Sequence, residues 1–526
     1  MGGPHFPSGE EGLSKTRMPI ASHELAAGTA SITAVRVGAW IALALLFACS
    51  RGADSEPDEA PCVAQLASAE LLTNITAHSA IVSWVSSSEA SFEVSFAPTK
   101  APQKARILKA RGMAGELVEV ELEDLEPGTS YDYRLGCASD SKQVMAERPG
   151  HRFRTLRSKG DTLSFAFLSD SHAYRIWATA QASDDPVDQI PLDLLSQTLT
   201  NAREHDVDFI ILGGDEAMTH CLHCPDVAVD GESGGTNTAR TARQAELRYL
   251  VWRRLYEEAG GDLPLFLVLG NHDGEAGFGN LAGDCNHYQD TAALSVGARK
   301  RLLPDPLRSY SGGNQGAYFS FVSGDALFVI LDVMGGPSDY PQTPGDWTLG
   351  AGQLAWLETT LASSREHWKF LIAHHIVGGH PRGAPCYAYG RGGVNATRNG
   401  QSDGEFNGQQ ATIHRLMLRY GAQFFLYGHD HIFSFAEKKD SSGRGDAVYY
   451  VAGGQSSRTP SVWLNKPWFQ QLYDIDGDGI GDFLDVPGFL QVTLDADQSA
   501  RFRYILSDPQ KPERNGAVVF DRTIKR

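Results

Sequence analysis

The sequence contains little positive charge for its length. Its 526 residues include 46 Lys and Arg but 64 Asp and Glu, so the formal net charge is −18. Nucleic-acid backbones and anionic membranes are both bound by clustered positive charge. The composition therefore argues against either as the main partner of the protein, and we expect no binding to nucleic-acid backbone.

Long hydrophobic runs are also missing. The apolar run at residues 38–48, GAWIALALLFA, is shorter than the roughly 20 residues that a membrane-spanning helix needs. The hydrophobic content of 42% and the charged content of 21% nevertheless fit a chain that folds around a core. At about 100–200 residues per domain, the length predicts two or three domains.

Cysteine is scarce, and its number, 7, is odd. The first cysteine, Cys49, directly follows the apolar run, and Arg36 precedes that run. A basic residue, a short apolar stretch and a small residue before cysteine resemble a bacterial lipoprotein signal. The resemblance implies that residues 1–48 are removed, that the Cys49 thiol carries lipid, and that the protein is exported to the cell envelope, on its periplasmic or surface side. A buried helix or an uncleaved anchor is the alternative.

Six cysteines remain, and an even number in an exported protein is compatible with three disulfides. They are Cys62, Cys137, Cys221, Cys224, Cys285 and Cys386. Cys62 and Cys137 are expected in one domain, where they can pair, and the other four permit three connectivities. The histidines beside Cys221 and Cys224 also suit a small metal knuckle, but exported thiols tend to oxidise, so we favour disulfides.

The first part of the exported chain changes character at residue 62. Residues 49–61 are acidic, contain proline and have few apolar side chains, which predicts a flexible tether. Residues 62–157 show strand patterns at Ala80–Val85, Ser91–Phe96 and Leu117–Leu122. A turn followed by Tyr131 and Tyr133 is typical of a tyrosine corner. This stretch resembles a fibronectin type III domain, an all-β sandwich, for which we expect a spacer role.

From residue 161 onward, strand patterns alternate with helical patterns, which predicts an α/β fold. Five apolar runs each end in polar residues: Leu163–Leu168 before SDSH, Phe209–Leu212 before GGDE, Leu265–Leu269 before GNHD, Phe370–Ala373 before HH, and Phe424–Tyr427 before GHDH. The helical patterns are Thr241–Glu258, Gln353–Ser363 and Gln410–Tyr420. Ligands of such folds bind at the carboxyl ends of the strands, so we expect the five polar segments to converge.

These segments contribute carboxylates, imidazoles and one amide. The candidate metal ligands are Asp170, His172, Asp215, Asn271, His374, His429 and His431. Mixed nitrogen and oxygen sets bind borderline metal ions, and seven ligands are too many for one ion. With one shared carboxylate they form two adjacent sites. Two ions about 3.5–4 Å apart can hold the attacking and leaving oxygens of a phosphoryl displacement.

The order D-x-H, G-D, G-N-H-D, H and G-H-x-H resembles that of the calcineurin-like metallophosphoesterases, over residues 161–505. The resemblance implies a four-layer α/β/β/α sandwich and leaves residues 506–526 as a C-terminal tail. It also implies a ligand assignment in which Asp215 bridges the two ions. One ion is held by Asp170, His172 and His431, and the other by Asn271, His374 and His429.

The same resemblance implies the chemistry. A metal-bound hydroxide attacks the phosphorus of a phosphate ester, and His272 acts at the leaving oxygen, so His272 and Asp215 are the expected catalytic residues. Purple acid phosphatases of this family carry a tyrosine three residues after the bridging aspartate. Met218 stands there in this chain, which leaves the metal identity open among Fe, Zn and Mn.

Three further histidines are candidate substrate contacts: His375, His220 and His380. For His375, packing behind the ligands is an equal alternative. For His220 and His380, a role without substrate contact is the more ordinary expectation.

Residues 474–485, DIDGDGIGDFLD, have oxygen ligands at the spacing of a calcium loop. The ligand positions fall on Asp474, Asp476, Asp478, the Ile480 carbonyl, Asp482 and Asp485. The pattern resembles EF-hand-type loops and implies one bound Ca²⁺. A solvated acidic turn is the alternative.

Together these features predict an exported, lipid-anchored enzyme with two metal ions that hydrolyses small phosphate monoesters. Its membrane contact is expected only through the lipid, and its oligomeric state is open. A phosphodiesterase or nucleotidase on the same metal core is the first alternative. A non-catalytic calcium-binding surface lipoprotein is a remote one, because such a protein has no reason to keep the full ligand set.

We expect Cys49→Ala to release the protein from the membrane fraction, because the thiol that carries the lipid is lost. Cell fractionation followed by immunoblotting measures the distribution. Ser50→Ala, which leaves the thiol in place, is the control and stays with the membranes. Unchanged partitioning of Cys49→Ala contradicts lipidation.

Overall fold

The computed structural model describes residues 66–137, 150–182, 192–221, 224–235, 238–275, 289–333, 349–376, 408–439, 447–456, 464–465, 467–474 and 480–525. Several residues singled out in the sequence lie outside this set: Cys49, Cys62, His223, Cys285, His380, Cys386, Asp476 and Asp478. Within the described residues, no helix is both long enough and apolar enough to cross a membrane.

Seven strands form the amino-terminal part: β1 (Leu66–Thr73), β2 (Ala80–Ser86), β3 (Ala90–Pro98), β4 (Arg106–Gly112), β5 (Leu117–Leu122), β6 (Ser130–Cys137) and β7 (His151–Arg154). They make one antiparallel sheet in the order β1-β2-β5 and another in the order β4-β3-β6-β7. Trp84 and Phe92, one from each sheet, pack edge to face with ring centroids 5.1 Å apart. The Tyr131 hydroxyl accepts a hydrogen bond from the Glu126 N–H at 2.8 Å, which is the contact of a tyrosine corner.

Two larger sheets follow, and a short hairpin, β10 (Ala228–Val229) and β11 (Glu232–Ser233), lies outside them. One sheet has the order β12-β9-β8-β20-β21-β22, with strands β8 (Leu163–Leu168), β9 (Phe209–Leu212), β12 (Leu265–Leu267), β20 (Gly488–Leu494), β21 (Ser499–Leu506) and β22 (Val518–Lys525). The other has the order β13-β14-β15-β16-β17-β19-β18, with strands β13 (Ser311–Gly313), β14 (Tyr318–Ser323), β15 (Ala326–Ile330), β16 (Trp368–Ile372), β17 (Phe424–Tyr427), β18 (Phe433–Lys439) and β19 (Ala447–Gly453). Strands β8, β9 and β12 are mutually parallel, as are β15, β16, β17 and β19.

The two sheets pack face to face through phenylalanine side chains. Phe165 of β8 contacts Phe328 and Phe370 of the opposite sheet, with ring centroids 5.1 and 5.4 Å apart. The intervening residues Ala166 and Leu168 point to the other face of β8, where they join the core beneath the helices. A continuous apolar run therefore marks a strand that is covered on both faces.

Helices cover both outer faces. The six-stranded sheet packs against α1 (Ala173–Ala182), α2 (Leu192–Glu204), α3 (Ala242–Gly260) and α4 (Gln289–Leu302). The seven-stranded sheet packs against α5 (Gly350–Ser363) and α6 (Gly408–Tyr420), and a short α7 (Pro467–Tyr473) follows. The expected four-layer α/β/β/α architecture is confirmed. The helix predicted from Thr241 begins at Ala242, because the Thr241 side chain caps it by accepting the Gln244 N–H.

The carboxyl-terminal segment differs from the expected tail. Within residues 506–526, β22 pairs antiparallel with β21 along its length and extends the six-stranded sheet. Phe520 and Ile524, which lie on one face of β22, pack against the core between the sheets. The consecutive apolar residues Val518, Val519 and Phe520 are the strand signal that an assignment as a tail passes over.

The amino-terminal sandwich is held against α3, and both belong to one compact unit. The buried Arg253 guanidinium donates to the Ser68 hydroxyl and the Ser83 carbonyl, each at 2.8 Å. The His151 imidazole lies between two carboxylates, 3.1 Å from Asp262 and 3.4 Å from Glu70. Buried polar contacts of this kind fix a single orientation, because each group loses its partner if the surfaces separate.

The His151 contact makes stability depend on pH. Burial alone lowers the pKa of His151, but Asp262 and Glu70 outweigh burial and raise the pKa to about 9. A raised pKa in the folded state means that the contribution is complete below about pH 6.5 and is lost as the pH rises through 9. We expect wild type to lose about 1–2 kcal/mol more than His151→Asn between pH 6.5 and 9.5.

Urea denaturation of both proteins at the two pH values measures this difference. His78→Asn, which changes an exposed histidine of the same sandwich, is the control and follows wild type. Identical pH dependence of wild type and His151→Asn contradicts the prediction.

Candidate metal centre

The polar residues that follow five strands meet between the two large sheets. Asp170 and His172 follow β8, and Asp215 follows β9. Asn271 lies in a single 3₁₀ turn, Asn271–Asp273, after β12. His374, His429 and His431 follow β16 and β17 of the other sheet. The convergence expected at the carboxyl ends of the strands is what the structure shows.

The ligand atoms form two groups. The ligand atoms of Asp170, His172 and His431 lie within 4.8 Å of one another, as do those of Asp215, His374 and His429. The His374 Nε2 atom is 3.2 Å from an Asp215 carboxylate oxygen and 4.0 Å from one of Asp170, so the two groups adjoin. These Asp and His clusters are able to bind metal ions.

Two distances show that the side chains suit metal ions. The Nε2 atoms of His172 and His431 are only 3.1 Å apart. That separation is the length of a hydrogen bond between the two rings. It also suits two nitrogens that bind one zinc ion at about 2.0–2.1 Å each, because such nitrogens lie roughly 3 Å from each other. The His374 Nδ1–H donates to the Gly213 carbonyl at 2.8 Å, so Nε2 is the nitrogen directed at the centre.

The side-chain oxygen of Asn271 is a further candidate metal ligand. It is buried and accepts no hydrogen bond from any residue in the described part of the chain. A buried amide oxygen without a partner is costly, and a cation beside it removes the cost. This oxygen suits the second group, where it would complete the ligands Asp215, His374 and His429.

Most of the candidate ligands have a left-handed backbone, which is rare outside glycine. The φ angles are 54° at Asp170, 50° at His172, 59° at Asp215, 69° at His429 and 58° at His431. Each such residue costs on the order of 1 kcal/mol or more and persists only where its surroundings impose it. The concentration of this strain on the ligands marks the site as functional.

Asp273 imposes part of this geometry. Its carboxylate accepts the backbone N–H groups of Gly270, Asp215, Glu216 and Ala217 at 2.8–3.0 Å. It thereby joins the turn after β9 to the turn after β12. Asp273 was not singled out from the sequence, although it is the final aspartate of the G-N-H-D segment.

Two glycines allow the turns to approach. A Cβ atom on Gly270 would overlap the Asp215 backbone nitrogen and carboxylate, and one on Gly428 would overlap Ser169 and the Asp170 carboxylate. Only glycine leaves room at these contacts. The glycines before Asn271 and His429 therefore serve the close packing of the ligand turns.

His272 stands beside both groups with one nitrogen directed away. Its Nδ1–H donates to the His220 carbonyl at 3.0 Å, so Nε2 is the nitrogen that faces His172 and Asp215. The His272 ring lies 5.3 Å from that of His172. His272 also forms a third possible ligand group with His172 and Asp215.

Two of the three candidate substrate contacts, His220 and His375, lie in the described part of the chain, and both are buried. The His220 ring stacks on His272 at 5.6 Å, and its Nδ1 is hydrogen-bonded to the Thr238 hydroxyl at 2.7 Å. Burial lowers the pKa of His220 to about 3, so the ring is neutral. His375 is fully buried, and its Nδ1–H donates to the Ile376 carbonyl at 2.9 Å.

Met218 replaces the tyrosine of purple acid phosphatases. Its sulfur lies 3.0 Å from Nδ1 of His172, on the opposite side of the ring from the ligand atom Nε2. A thioether is a weak hydrogen-bond acceptor. Met218 therefore supports the orientation of His172 and contributes no phenolate oxygen to the centre.

Cys221 and Cys224 are joined by a disulfide directly after His220. Cys285 and Cys386 lie outside the described residues, so their pairing stays a prediction. Cys137 is also disulfide-bonded, and its pairing with Cys62 stays a prediction.

Parts of the acidic loop at residues 474–485 are described. The Asp482 N–H donates to the Tyr473 carbonyl at 2.8 Å, and the Gln455 amide donates to Asp485 at 3.3 Å. Asp474 is buried, whereas the Ile480 side chain is exposed. Asp476 and Asp478 lie outside the described residues, so the calcium site stays a prediction.

A four-layer α/β/β/α fold with Asp and His clusters between its strand ends defines a metal-dependent phosphoesterase. The sequence profile of the calcineurin-like phosphoesterases matches residues 163–433. The chain belongs to the calcineurin-like phosphoesterase family.

Solved structures show the same fold. The structure of PhoD is similar with a TM-score of 0.62 and 15% identity, over 90% of this chain and 90% of that chain. Purple acid phosphatase PPD1 from seeds of yellow lupin (Lupinus luteus) is similar with a TM-score of 0.57 and 15% identity, over 87% of this chain and 75% of that one. No curated protein sequence matches the chain.

Metal binding is expected to release a proton from His374. Burial alone lowers the pKa of His374, but the Asp215 and Asp170 carboxylates raise it to about 10. The metal-free protein therefore carries this imidazole protonated at pH 7.5, and an imidazolium cannot bind a metal ion. We expect addition of Zn²⁺ to release at least one proton at this pH.

Isothermal titration calorimetry in two buffers of different ionisation enthalpy counts the protons. His374→Asn is expected to bind Zn²⁺ more weakly and to release one proton fewer. Zn²⁺ binding to wild type without proton release contradicts the assignment.

Proposed function

We propose that the protein is an exported phosphatase with two metal ions that hydrolyses phosphate monoesters. The observation that carries the proposal is the pair of adjoining ligand groups, linked through the contact of His374 with Asp215 and Asp170. In the proposed assignment, one ion is held by Asp170, His172 and His431 and the other by Asn271, His374 and His429, with Asp215 between them. When bound, such ions supply Lewis acidity to phosphoryl oxygens and lower the pKa of water.

The chain's own residues orient this chemistry. His272 is partly exposed, while its Nδ1 is held by the His220 carbonyl. Its Nε2 is thus the nitrogen that would meet a phosphate ester bound at the two ions. We assign His272 to the leaving oxygen, where an imidazole can donate a hydrogen bond or a proton.

Several observations support export and the accessory features. The Cys221–Cys224 disulfide suits an oxidising compartment, as expected for a chain lipidated at Cys49 and anchored to the cell envelope. The three-plus-four antiparallel strands and the tyrosine corner support a fibronectin type III-like spacer. We further propose that the loop from Asp474 to Asp485 binds one Ca²⁺.

Two variants test the proposal. Asp215→Ala removes the carboxylate shared by both ions, so it is expected to lose bound metal and at least about a thousandfold in aryl phosphate hydrolysis. His272→Ala is expected to retain both ions and to lose about a hundredfold in kcat. Elemental analysis and steady-state kinetics provide the two measurements, with Asp193→Ala, an exposed aspartate of α2, as the control.

The outcomes separate the competing assignments. If Asp215→Ala retains activity, the result contradicts the two-metal proposal. Loss of metal in His272→Ala makes this histidine a ligand, as its proximity to His172 and Asp215 permits. Faster hydrolysis of a bis-aryl phosphate than of an aryl phosphate replaces the monoesterase with a phosphodiesterase.

A further inference from the structure

Two turns that carry ligands share an unusual backbone form. In residues 170–172 and in residues 429–431, the first and third residues are left-handed candidate ligands. The middle residues, Ser171 and Asp430, are polar and buried, and neither belongs to a candidate ligand group among the described residues. Because the middle residue joins two ligands, the contacts that hold it contribute to where both ligands stand.

Ser171 is held through a buried carboxyl group. Its hydroxyl donates to Glu216 Oε2 at 2.5 Å, and the Tyr256 hydroxyl donates to the same oxygen at 2.6 Å. All three side chains are inaccessible to solvent. Tyr256 lies on α3, where its ring packs on Trp252 at 5.2 Å.

Asp430 is held by a second buried tyrosine. The Tyr473 hydroxyl donates to Asp430 Oδ2 at 2.5 Å. Tyr473 ends α7 and packs with Phe469 and with Ile432, the residue directly after His431. The small core beneath α7 thus adjoins the second ligand turn.

We propose that Tyr256 and Tyr473 are positioning residues that hold the two strained ligand turns of the metal centre. The inference rests on the proposed metal-dependent function. A left-handed residue persists only where its surroundings impose it, and a turn released from its tyrosine can relax toward the right-handed form. Relaxation moves the ligands on both sides of the middle residue.

The two anchors have different consequences for the two ions. The turn at 170–172 supplies two ligands to the group of Asp170, His172 and His431. It supplies no ligand to the other group, which it reaches through the His429 N–H that donates to the Asp170 carboxylate. The turn at 429–431 supplies His431 to that group and His429 to the group of Asp215 and His374. Loss of the Tyr256 hydroxyl should therefore loosen one ion, whereas loss of the Tyr473 hydroxyl should loosen both.

The test compares Zn²⁺ release from wild type, Tyr256→Phe and Tyr473→Phe. The proteins are loaded with Zn²⁺, and transfer of Zn²⁺ to a chromogenic chelator is followed with time. We expect about tenfold faster release of one Zn²⁺ from Tyr256→Phe and of both from Tyr473→Phe. At saturating Zn²⁺, aryl phosphate hydrolysis by both variants is expected to return to within about threefold of wild type.

Controls separate positioning from general stability. Tyr133→Phe also removes a buried hydroxyl, which donates to the Gly261 carbonyl at 2.7 Å in the sandwich contact, and should release Zn²⁺ like wild type. Asp430→Asn keeps an oxygen that accepts from Tyr473 and should stay within about threefold of wild type. Melting temperatures are recorded for every variant, and release is compared at equal intervals below them.

Three results overturn the inference: release from both variants at the wild-type rate, equal acceleration in Tyr133→Phe, or the reverse assignment of one and two ions. Two other results would contradict the proposed function itself. In the first, wild type binds no Zn²⁺; in the second, it binds Zn²⁺ but hydrolyses no phosphate ester.

Discussion

The metal centre depends on the hydrogen bonds that the Asp273 carboxylate accepts. This carboxylate accepts four backbone N–H groups from two turns that follow neighbouring parallel strands. One turn carries Asp215 and the other carries Asn271 and His272, so one buried group ties both turns together. Left-handed residues such as Asp215 do not maintain that geometry alone. The Asp273 carboxylate constrains this backbone, because it accepts hydrogen bonds from the N–H groups of both turns.

The strain at the ligands is tolerated because the scaffold around them is closely packed. Phenylalanines fill the space between the two large sheets, and helices cover both outer faces. The sandwich adds a further contact, since Arg253 of α3 donates to carbonyl and hydroxyl groups of β1 and β2. Interiors of this density resist small shifts, so the strand ends stay where the ligands require them.

Much of this organisation could be predicted from local pattern. Apolar runs such as Phe209–Leu212 predicted the strands, and the polar residues after these runs predicted the ligand turns. Other residues gave no local signal. Tyr473 acts on a residue 43 positions away, and His220 supports His272 from 52 positions away. Strand β22 could not be predicted from alternation, because three polar residues separate Phe520 from Ile524.

The sequence by itself determined the class of fold and the chemistry of the ligands, because strand periodicity and side-chain type are local properties. The tertiary structure decided which candidate ligands lie within reach of one another and which nitrogen of His374 faces the centre. His172 and His431 are 259 residues apart in the chain, yet their Nε2 atoms lie 3.1 Å apart. Such proximity arises only when both sheets are assembled, since parallel strands bring their carboxyl ends to one place through long connections.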